Sequence, residues 1–317
     1  MEKIIGNSVL DAYFDETTMS LHMKANTKIV RKKGTPGNWK PVVDKVIIKK
    51  KDMEKLIETI YKELESREDG FLEIDRKLSK ILQMGPYRIV IVYPPLSDGL
   101  EMTIVKPIIK LTIEDYKLTP ELFEHLRNES KGILVSGAPG SGKTTFAQAL
   151  IGVYQDDENI IKTIESPRDL QVDEDIVQYS FTYGTHDEVR DILLLSRPDY
   201  TVYDELRNES DFLLYKDLRL TGIGLVGVIH ATRPVDSIQR FIGHIDIGII
   251  PQVLDTVIYI DKGKVAEVYN LQLTVKVPEG MESEDLARPV VVISSFLDKK
   301  VKYEIYTFGE QVVVMPI

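Results

Sequence analysis

The chain has 317 residues, 43% of them hydrophobic and 28% charged, a composition typical of a folded globular protein of about two domains. It contains no cysteine, which excludes disulfides, thiolate metal sites and cysteine nucleophiles and favours a reducing compartment such as the cytoplasm. Because every apolar run falls far short of the ~18 residues that span a bilayer, we expect no membrane span and no secretion signal.

The net charge of −10 is unevenly distributed along the chain. The segment Lys28–Lys51 holds nine basic residues and one acid, so it carries +8 and the remainder −18. A concentrated basic segment can bind nucleic-acid phosphates, so we take it as a candidate DNA contact. The alternatives are a solvated hairpin or a patch that meets the acidic surface of a neighbouring subunit. The residues assigned to the DNA contact are Arg31, Lys32, Lys33, Lys40, Lys49, Lys50 and Lys51.

The first ~115 residues predict a small α+β domain. A turn signal at Gly34–Gly37 separates two β-like runs and predicts a basic hairpin. Apolar residues at helical spacing from Met53 to Leu64 predict an amphipathic helix. A polar stretch around Glu114–Pro120 is the expected linker. The expected strands are Ser20–Met23, Thr27–Arg31, Val42–Ile48, Phe71–Ile74, Tyr87–Val92 and Met102–Ile109.

From Gly132 onwards, short apolar runs alternate with helical segments, which is typical of buried parallel strands joined by crossover helices. The expected strands are Ile133–Val135, Ile160–Ile164, Ile176–Ser180, Tyr200–Tyr203, Gly224–Ile229 and Thr256–Ile260, and the expected helices are Lys143–Val153, His186–Ser196, Glu209–Leu220 and Val235–Phe241. After Asp261 the pattern is β-rich again, with Val265–Val275, Val290–Ile293 and Val301–Val314 as strands.

Residues Gly137–Thr144 read GAPGSGKT, which fits the pattern G-x-x-x-x-G-K-[ST] between an expected strand and an expected helix. The glycines let backbone N–H groups converge on phosphate oxygens, and the helix N-terminus adds a partial positive charge. Lys143 is expected to reach the β- and γ-phosphates and the Thr144 hydroxyl to bind Mg²⁺, so the sequence predicts an ATP and Mg²⁺ site. The residues assigned to the nucleotide are Gly137, Ala138, Pro139, Gly140, Ser141, Gly142, Lys143, Thr144 and Thr145.

Acidic and histidine side chains end three of the expected strands. Asp204 and Glu205 follow Tyr200–Tyr203, where one carboxylate can hold Mg²⁺ through water and its neighbour can orient the attacking water. The metal candidates are therefore Thr144, Asp204 and Glu205. Glu165 is a second candidate for activating water, and which of the two glutamates is the main base stays open. His230 is either a γ-phosphate sensor or a structural histidine.

The order of these motifs resembles the secretion and pilus-retraction ATPase superfamily. The glycine-rich loop Gly137–Thr144, called the P-loop, is followed by three motifs in that family's order and spacing. They are an acidic box at Thr163–Pro167, a Walker B region at Pro198–Arg207 and a histidine box at Thr221–Thr232. The resemblance implies a hexameric ATPase in which Glu165 and Glu205 activate water and organise Mg²⁺, with His230 and Arg207 completing the site. It also implies that N-terminal arginines reach a neighbouring subunit's phosphates, for which Arg88 is the first candidate and Arg76 the second.

The chain departs from the family pattern at three positions. Asp204 stands where many retraction ATPases have glycine, Ile223 where they have a second histidine, and Lys106 where some members have arginine. Asp204 is therefore expected to take part in binding Mg²⁺. One histidine function is absent, and Lys106 lacks the bidentate fork of an arginine.

Two further runs, Met84–Asp98 and Ile250–Ile258, resemble those of archaeal ATPases fused to a PIN domain at one end and a KH domain at the other. This resemblance implies a motor of Holliday-junction branch migration, with four-way-junction DNA and a junction-resolving nuclease as partners. Neither flanking domain is visible in the 317 residues, so the chain would be the motor core.

The expected fold class is α/β: a RecA-like P-loop NTPase domain at 116–262, preceded by an α+β domain at 1–115 and followed by a β-rich extension at 263–317. The expected function is an ATP-hydrolysing hexameric DNA translocase or helicase. The alternative is a secretion or pilus motor with a membrane partner, against which stand the excluded tetracysteine zinc site and the β-rich C-terminal sequence. An ATP-gated scaffold without turnover is disfavoured, because Lys143, Thr144, Glu165 and Glu205 are all present.

Overall fold

The computed structural model describes residues 8–35, 38–106, 111–165, 168, 170–182, 184–281 and 286–317. The chain has a mixed α/β fold and divides into two compact units. The first unit comprises Met1–Lys110 together with Pro167–Gln171, and the second comprises Leu111–Ser166 together with Val172–Ile317. Across the described ranges, no helix is both long enough and apolar enough to cross a membrane.

The first unit is built on a seven-stranded antiparallel sheet and one long helix. A short 3-10 helix at Val9–Tyr13 precedes its strands, which are β1 (Thr18–Lys24), β2 (Thr27–Thr35), β3 (Asn38–Ile48), β4 (Gly70–Asp75), β5 (Ser79–Met84), β6 (Tyr87–Val92) and β7 (Glu101–Val105), with helix α1 (Lys50–Ser66) between β3 and β4. The strand order is β3-β2-β1-β7-β6-β5-β4. Helix α1 buries Met53, Leu56, Ile57 and Ile60 in one core with the sheet, which confirms the predicted amphipathic helix.

Three expectations for this part of the chain need correction. The structure contains strand β5, which the sequence did not predict. The adjacent apolar residues Ile81 and Leu82 break the alternation of apolar and polar residues that marks a half-buried strand. The expected linker contains a 3-10 helix, Ile113–Tyr116, capped by Thr112, and it belongs to the second unit. The strand expected at Met102–Ile109 begins one residue earlier and is described to Val105, while residues 107–109 of the expected region lie outside the described ranges.

The segment Pro167–Gln171 also belongs to the first unit. Arg168, in the segment Pro167–Gln171, donates from Nε and Nη2 to Glu73 Oε2 at 3.1 and 3.0 Å, and its guanidinium carbon lies 4.0 Å from the centroid of the Phe71 ring. The side chain of Glu73 is only 1% exposed. A buried carboxylate is costly unless it is paired, so this ion pair compensates for the burial of Glu73.

The second unit is built on a ten-stranded sheet. It contains strands β8 (Gly132–Gly137), β9 (Ile161–Glu165), β10 (Val177–Ser180), β11 (Tyr200–Tyr203), β12 (Gly224–His230), β13 (Thr256–Asp261), β14 (Lys264–Lys276), β15 (Arg288–Ser295), β16 (Val301–Phe308) and β17 (Gln311–Pro316), with helices α2 (Pro120–Glu124), α3 (Lys143–Asp156), α4 (His186–Ser196), α5 (Glu209–Leu220), α6 (Pro234–Ile242) and α7 (Ile250–Val253). The strand order is β10-β9-β11-β12-β8-β13-β14-β15-β16-β17.

The first six strands in that order are parallel and the last four pair antiparallel. Helices α4, α5 and α6 contribute Leu193, Phe212 and Phe241 to one core with Leu134 and Leu225 of the strands. The β-rich C-terminal residues thus continue the sheet that contains β8. The region expected as one strand, Val301–Val314, is the two strands β16 and β17 around a turn at Gly309, whose φ is 60°.

Candidate active site

The carboxyl ends of four parallel strands meet at one edge of the ten-stranded sheet. Strand β8 ends at Gly137, β9 at Glu165 and β12 at His230, while Asp204 directly follows β11. His230 lies in register with Gly137, and the Asp204 N–H donates to the carbonyl of Ile164 on β9 at 2.9 Å. Open α/β sheets bind ligands in the crevice at this edge.

The conformation of the glycine-rich loop requires glycine at its first and sixth positions, Gly137 and Gly142. Gly137 has φ 154°, and a Cβ there would lie 2.4 Å from the Ile260 carbonyl oxygen. Gly142, the N-cap of α3, has φ 99°. Strand β13 leads into a turn whose Gly263 N–H donates to the carbonyl of Ser141 at 2.8 Å. The loop is therefore supported from the adjoining β13–β14 hairpin, while residues 138–140 are exposed.

Lys143 opens helix α3 and folds back along the loop. Its Nζ donates to the carbonyl oxygen of Ala138 at 2.8 Å, and the residue is only 5% exposed. Burial lowers the pKa of Lys143 below its usual value, and the charges of Asp204 and Glu205 oppose that shift. A cation is thus placed within the loop beside two carboxylates. Thr145 follows in the same helical turn.

The structure brings Thr144 and Asp204 together. Thr144 Oγ1 donates to Asp204 Oδ1 at 3.0 Å, and Asp204 is 9% exposed. Two hard oxygen donors side by side are the kind of ligand that Mg²⁺ prefers. In the part of the chain that the structure describes, no three His, Asp or Glu side chains form a metal-binding cluster. A cation here would therefore depend on the threonine, the aspartate, water and phosphate oxygens.

Glu205, His230 and Arg207 form a second group at the same edge. His230 Nε2 lies 3.2 Å from Glu205 Oε1, and the Arg207 guanidinium is hydrogen-bonded to Glu205 Oε2. The Arg207 hydrogen bond and the nearby His230 hold the pKa of Glu205 below its usual range. Burial, reinforced by the charge of Lys143, lowers the pKa of His230. At neutral pH the pair is therefore a neutral imidazole donating to an ionised carboxylate.

Glu165 occupies a different environment from Glu205. It is fully buried at the end of β9, where the Thr163 hydroxyl donates to its Oε1 at 2.5 Å and the Gln178 amide at 2.9 Å. Ser166 and Pro167 of the expected acidic box lie outside the described residues. The two candidate bases are thus a buried carboxylate that accepts from Thr163 and Gln178, and a partly exposed one that contacts an arginine and a histidine.

Two residues outside the sequence motifs hold the loop that follows β11. Asp211, the N3 residue of helix α5, accepts from the Arg207 N–H at 2.7 Å and the Asn208 N–H at 3.0 Å. Arg240 of α6 donates to the main-chain carbonyls of Arg207 and His230 at 3.1 and 3.2 Å. The pattern Asn208–Asp211 of a capping box signals the first of these in the sequence, whereas nothing local signals the second.

The remaining candidates belong to the first unit. Arg88 lies on β6, opposite Gln83 and Val105 in the neighbouring strands. In the basic segment, Arg31 binds Asp44 with an Nε–Oδ1 distance of 2.9 Å, and Lys32 lies 4.0 Å from the centroid of the Trp39 ring.

Acidic partners take up part of this segment's positive charge. Lys33 pairs with Asp15, and Lys50 lies 3.7 Å from Glu54. The exposed lysines of the segment include Lys40, Lys49 and Lys51.

The amino-acid sequence matches one family model and is similar to two longer proteins. The family model described as type II/IV secretion system protein matches residues 103–258. The chain is 50% identical over 309 residues to a protein of Sulfolobus acidocaldarius named Holliday junction branch migration ATPase PINA, covering 97% of this chain and 61% of that protein. It is 52% identical over 311 residues to an uncharacterised KH- and PIN-domain-containing protein of Methanocaldococcus jannaschii, covering 98% and 48%. The chain thus spans about half to three fifths of these relatives.

Two solved structures share the fold at low sequence identity. The Legionella pneumophila ATPase DotB superposes with a TM-score of 0.59 at 14% identity, covering 89% of this chain and 78% of that one. The pilus retraction motor PilT superposes with a TM-score of 0.59 at 16% identity, covering 92% and 83%. The chain therefore shares its fold with these two solved structures, and its residues 103–258 match the family model described as type II/IV secretion system protein.

Proposed function

We propose that this protein is a P-loop ATPase with a RecA-like core at 116–262. The observation that carries the proposal is the joining of Thr144, in the first turn after the glycine loop, to Asp204 at the end of β11. The buried amine of Lys143 lies in the same loop. A lysine and a hydroxyl at the N-terminus of one helix, with a carboxylate from the end of a neighbouring strand, are the groups that P-loop enzymes use on a nucleotide and its Mg²⁺.

Thr144 and Asp204 are the residues that would hold Mg²⁺, the aspartate through water. The ion would neutralise phosphate charge as it develops during transfer. Lys143, now bound to the Ala138 carbonyl, would exchange that acceptor for the β- and γ-phosphate oxygens. Backbone N–H groups at the start of α3 would bind the remaining phosphate oxygens.

Water activation is assigned to Glu205 and Glu165. The low pKa of Glu205 keeps its carboxylate ionised at neutral pH, so it can accept a hydrogen bond from water and align it with the γ-phosphate. His230 and Arg207 fix the direction of that carboxylate. Glu165, buried at the end of the neighbouring strand, would support the same water from a second side.

The ATPase assignment is tested with Lys143→Ala. We expect this variant to lose nucleotide binding and phosphate release together, while Lys216→Ala, which removes a lysine of helix α5 paired with Asp217, retains both. Nucleotide affinity is measured with a fluorescent ATP analogue and turnover by phosphate release. Unchanged affinity in Lys143→Ala would refute the P-loop assignment.

We further infer that the motor acts on branched DNA, the substrate in the name of the Sulfolobus relative. The exposed lysines Lys40, Lys49 and Lys51 favour binding to DNA phosphates, because they extend from the hairpin β2–β3 and the start of α1. For every DNA phosphate that the protein no longer neutralises, the slope of log affinity against log salt becomes shallower by about 0.9. The experiment measures ATPase rate with and without four-way-junction DNA across a salt series.

The expected result is stimulation that fades with salt and weakens when the three lysines are changed to alanine. The matched control changes Lys55, Lys62 and Lys77, exposed lysines of the same unit. Turnover that is indifferent to DNA at every salt concentration would instead favour a secretion-type motor with a membrane partner, in line with the fold shared with DotB and PilT.

A closed ring is part of the proposal, with six subunits taken from the resemblance to retraction ATPases. Arg88 of the α+β domain, residues 1–115, would complete a neighbouring subunit's site, and such a heterologous contact forms a ring when its rotation closes. Mixing Arg88→Ala subunits with Lys143→Ala subunits should restore some activity, because one shared interface then holds an intact pair. No recovery at any mixing ratio would refute the assignment of Arg88. The β-rich residues 263–317 are proposed as an assembly surface or lever, and a junction-resolving nuclease as a partner.

A further inference from the structure

Two loops carry Glu205, which is proposed to activate water, and His230, which is proposed to orient the Glu205 carboxylate. Glu205 lies in the loop after β11, and His230 ends β12 and begins the next loop. Their side chains meet at 3.2 Å, so the geometry of the pair depends on how the two main chains are held relative to each other. The Leu206 N–H, bound to the Val228 carbonyl at 2.8 Å, ties the first loop to β12.

Arg240 is hydrogen-bonded to both loops at once. One terminal nitrogen, Nη1, donates to the carbonyl oxygen of His230 at 3.2 Å, and the other, Nη2, donates to the carbonyl oxygen of Arg207 at 3.1 Å. Both acceptors are main-chain atoms, so the contacts fix backbone positions. A planar guanidinium holds its two terminal nitrogens in a rigid fork, which lysine lacks.

Aromatic side chains of helices α5 and α6 support the position of this fork. The guanidinium carbon of Arg240 lies 5.5 Å from the centroid of the Phe212 ring, and that ring packs edge-on against Phe241 with centroids 5.0 Å apart. Phe212 and Phe241 are both buried. The arginine therefore extends from the buried core of the unit, and its charged end reaches the two loops.

The loop after β11 needs such external support. Glu205 has φ 71°, a left-handed backbone conformation that is unfavourable for a residue with a Cβ atom. The Asp211 carboxylate accepts hydrogen bonds from the N–H groups of Arg207 and Asn208 in this loop. Arg240 donates to the Arg207 carbonyl of the same loop. Of these two residues, Arg240 is the one that also reaches the histidine loop.

We propose that Arg240 is a positioning residue that fixes Glu205 and His230 in their mutual geometry by bridging the main chains of their loops. The proposal rests on the ATPase function proposed above. Arg240 is bonded to the loops through main-chain carbonyls, so it acts through Glu205. Its removal should lower turnover while leaving nucleotide capture by the P-loop intact.

The test compares Arg240→Ala and Arg240→Lys with the wild type in ATP binding, KM and kcat. We expect kcat to fall at least tenfold in both variants, with KM and nucleotide affinity within about twofold of wild type. Gln239→Ala, an exposed neighbour on the same helix, is the matched control and should behave as wild type.

Two further measurements separate positioning from general destabilisation. Guanidinium chloride at low millimolar concentration, against sodium chloride of equal ionic strength, should partly restore kcat in Arg240→Ala and leave Lys143→Ala inactive. A double-mutant cycle should show that Arg240→Ala costs little once Glu205 is already glutamine, because both changes remove the same function.

The proposal is overturned if Arg240→Lys retains wild-type kcat, if KM and nucleotide affinity worsen in step with kcat, or if the two changes prove additive. Failure of the underlying ATPase assignment has a different result, since Lys143→Ala would then turn over and bind ATP as the wild type does.

Discussion

The hydrogen bond between Thr144 and Asp204 makes a quantitative prediction for Thr144→Val. Valine keeps the shape of threonine and removes the hydroxyl, so Asp204 Oδ1 loses a donor at 3.0 Å. A hydrogen bond to a charged group contributes about 1.5–3 kcal/mol, and Asp204 is only 9% exposed, so water replaces the donor incompletely. We expect Thr144→Val to lower the free energy of unfolding by about 2 kcal/mol, and Thr144→Ser, which keeps the hydroxyl, by less than about 0.5 kcal/mol.

Urea unfolding in the absence of nucleotide measures this effect, and a double-mutant cycle with Asp204→Ala isolates the pair. The coupling free energy should exceed about 1 kcal/mol. A coupling near zero would refute the reasoning, because it would mean that the two side chains do not support each other in the folded protein.

The same variant tests the cation site. If Thr144 supplies an oxygen to Mg²⁺, Thr144→Val should raise the Mg²⁺ concentration for half-maximal turnover by about ten- to a hundredfold, since 1.4 kcal/mol corresponds to a factor of ten. Thr144→Ser should stay close to wild type. An unchanged Mg²⁺ requirement in Thr144→Val would remove this threonine from the metal site.

Three other predictions concern the two candidate bases, the histidine and the Arg168–Glu73 ion pair. Glu205→Gln and Glu165→Gln should bind ATP but lose at least about a hundredfold in phosphate release, as expected for loss of a general base. Because the pKa of His230 is lowered below 6.5, the folded protein binds fewer protons than the unfolded chain, so His230 adds stability above about pH 6.5 that is lost as the pH falls. His230→Gln should therefore lose less stability than wild type between about pH 7 and 5 in urea unfolding. Arg168→Ala should lower the free energy of unfolding by about 3 kcal/mol, because it takes the guanidinium from buried Glu73.

Each of these has a specific refutation. Wild-type turnover in both glutamine variants would remove both glutamates from catalysis, and a steeper loss of stability in His230→Gln would reverse the sign of the linkage. For Arg168, the control is Lys24→Ala, which breaks an ion pair whose side chains are 45% and 82% exposed and should cost far less stability than Arg168→Ala. Equal losses in Arg168→Ala and Lys24→Ala would show that the burial of Glu73 does not matter.

The P-loop and the strand-end acids are predictable because their signals are local. Glycines at fixed spacing, an apolar run before them and a helix after them specify the loop by themselves, and parallel strands bring their carboxyl ends to one edge whatever the loop lengths. The different contacts of Asp204 and Glu205 depend on the turn after β11. Its left-handed Glu205 directs the two neighbouring side chains to different partners, Thr144 and His230, and nothing in the local sequence signals that turn.

Arg240 and strand β5 are not predictable from the sequence for a different reason. Arg240 follows His230 by ten residues, and its acceptors are carbonyls, which carry no sequence information. Strand β5 is held by pairing with β4 and β6, and it buries Leu82, Gln83 and Met84 in succession, so neither strict alternation nor a continuous apolar run marks it. Tertiary contacts decide both.

The hairpin turn beneath the P-loop affects how the protein can be dissected. A cut between residues 262 and 263, where the sequence indicates the end of the motor domain, falls inside the β13–β14 hairpin and severs Gly263, whose N–H supports the carbonyl of Ser141. It would also strip β14 from β13, the strand that borders β8. The shortest fragment expected to preserve the nucleotide loop must therefore include the hairpin. If a fragment without it fails to bind ATP, that result would reflect the lost support of the loop by Gly263 and would say nothing about the catalytic residues.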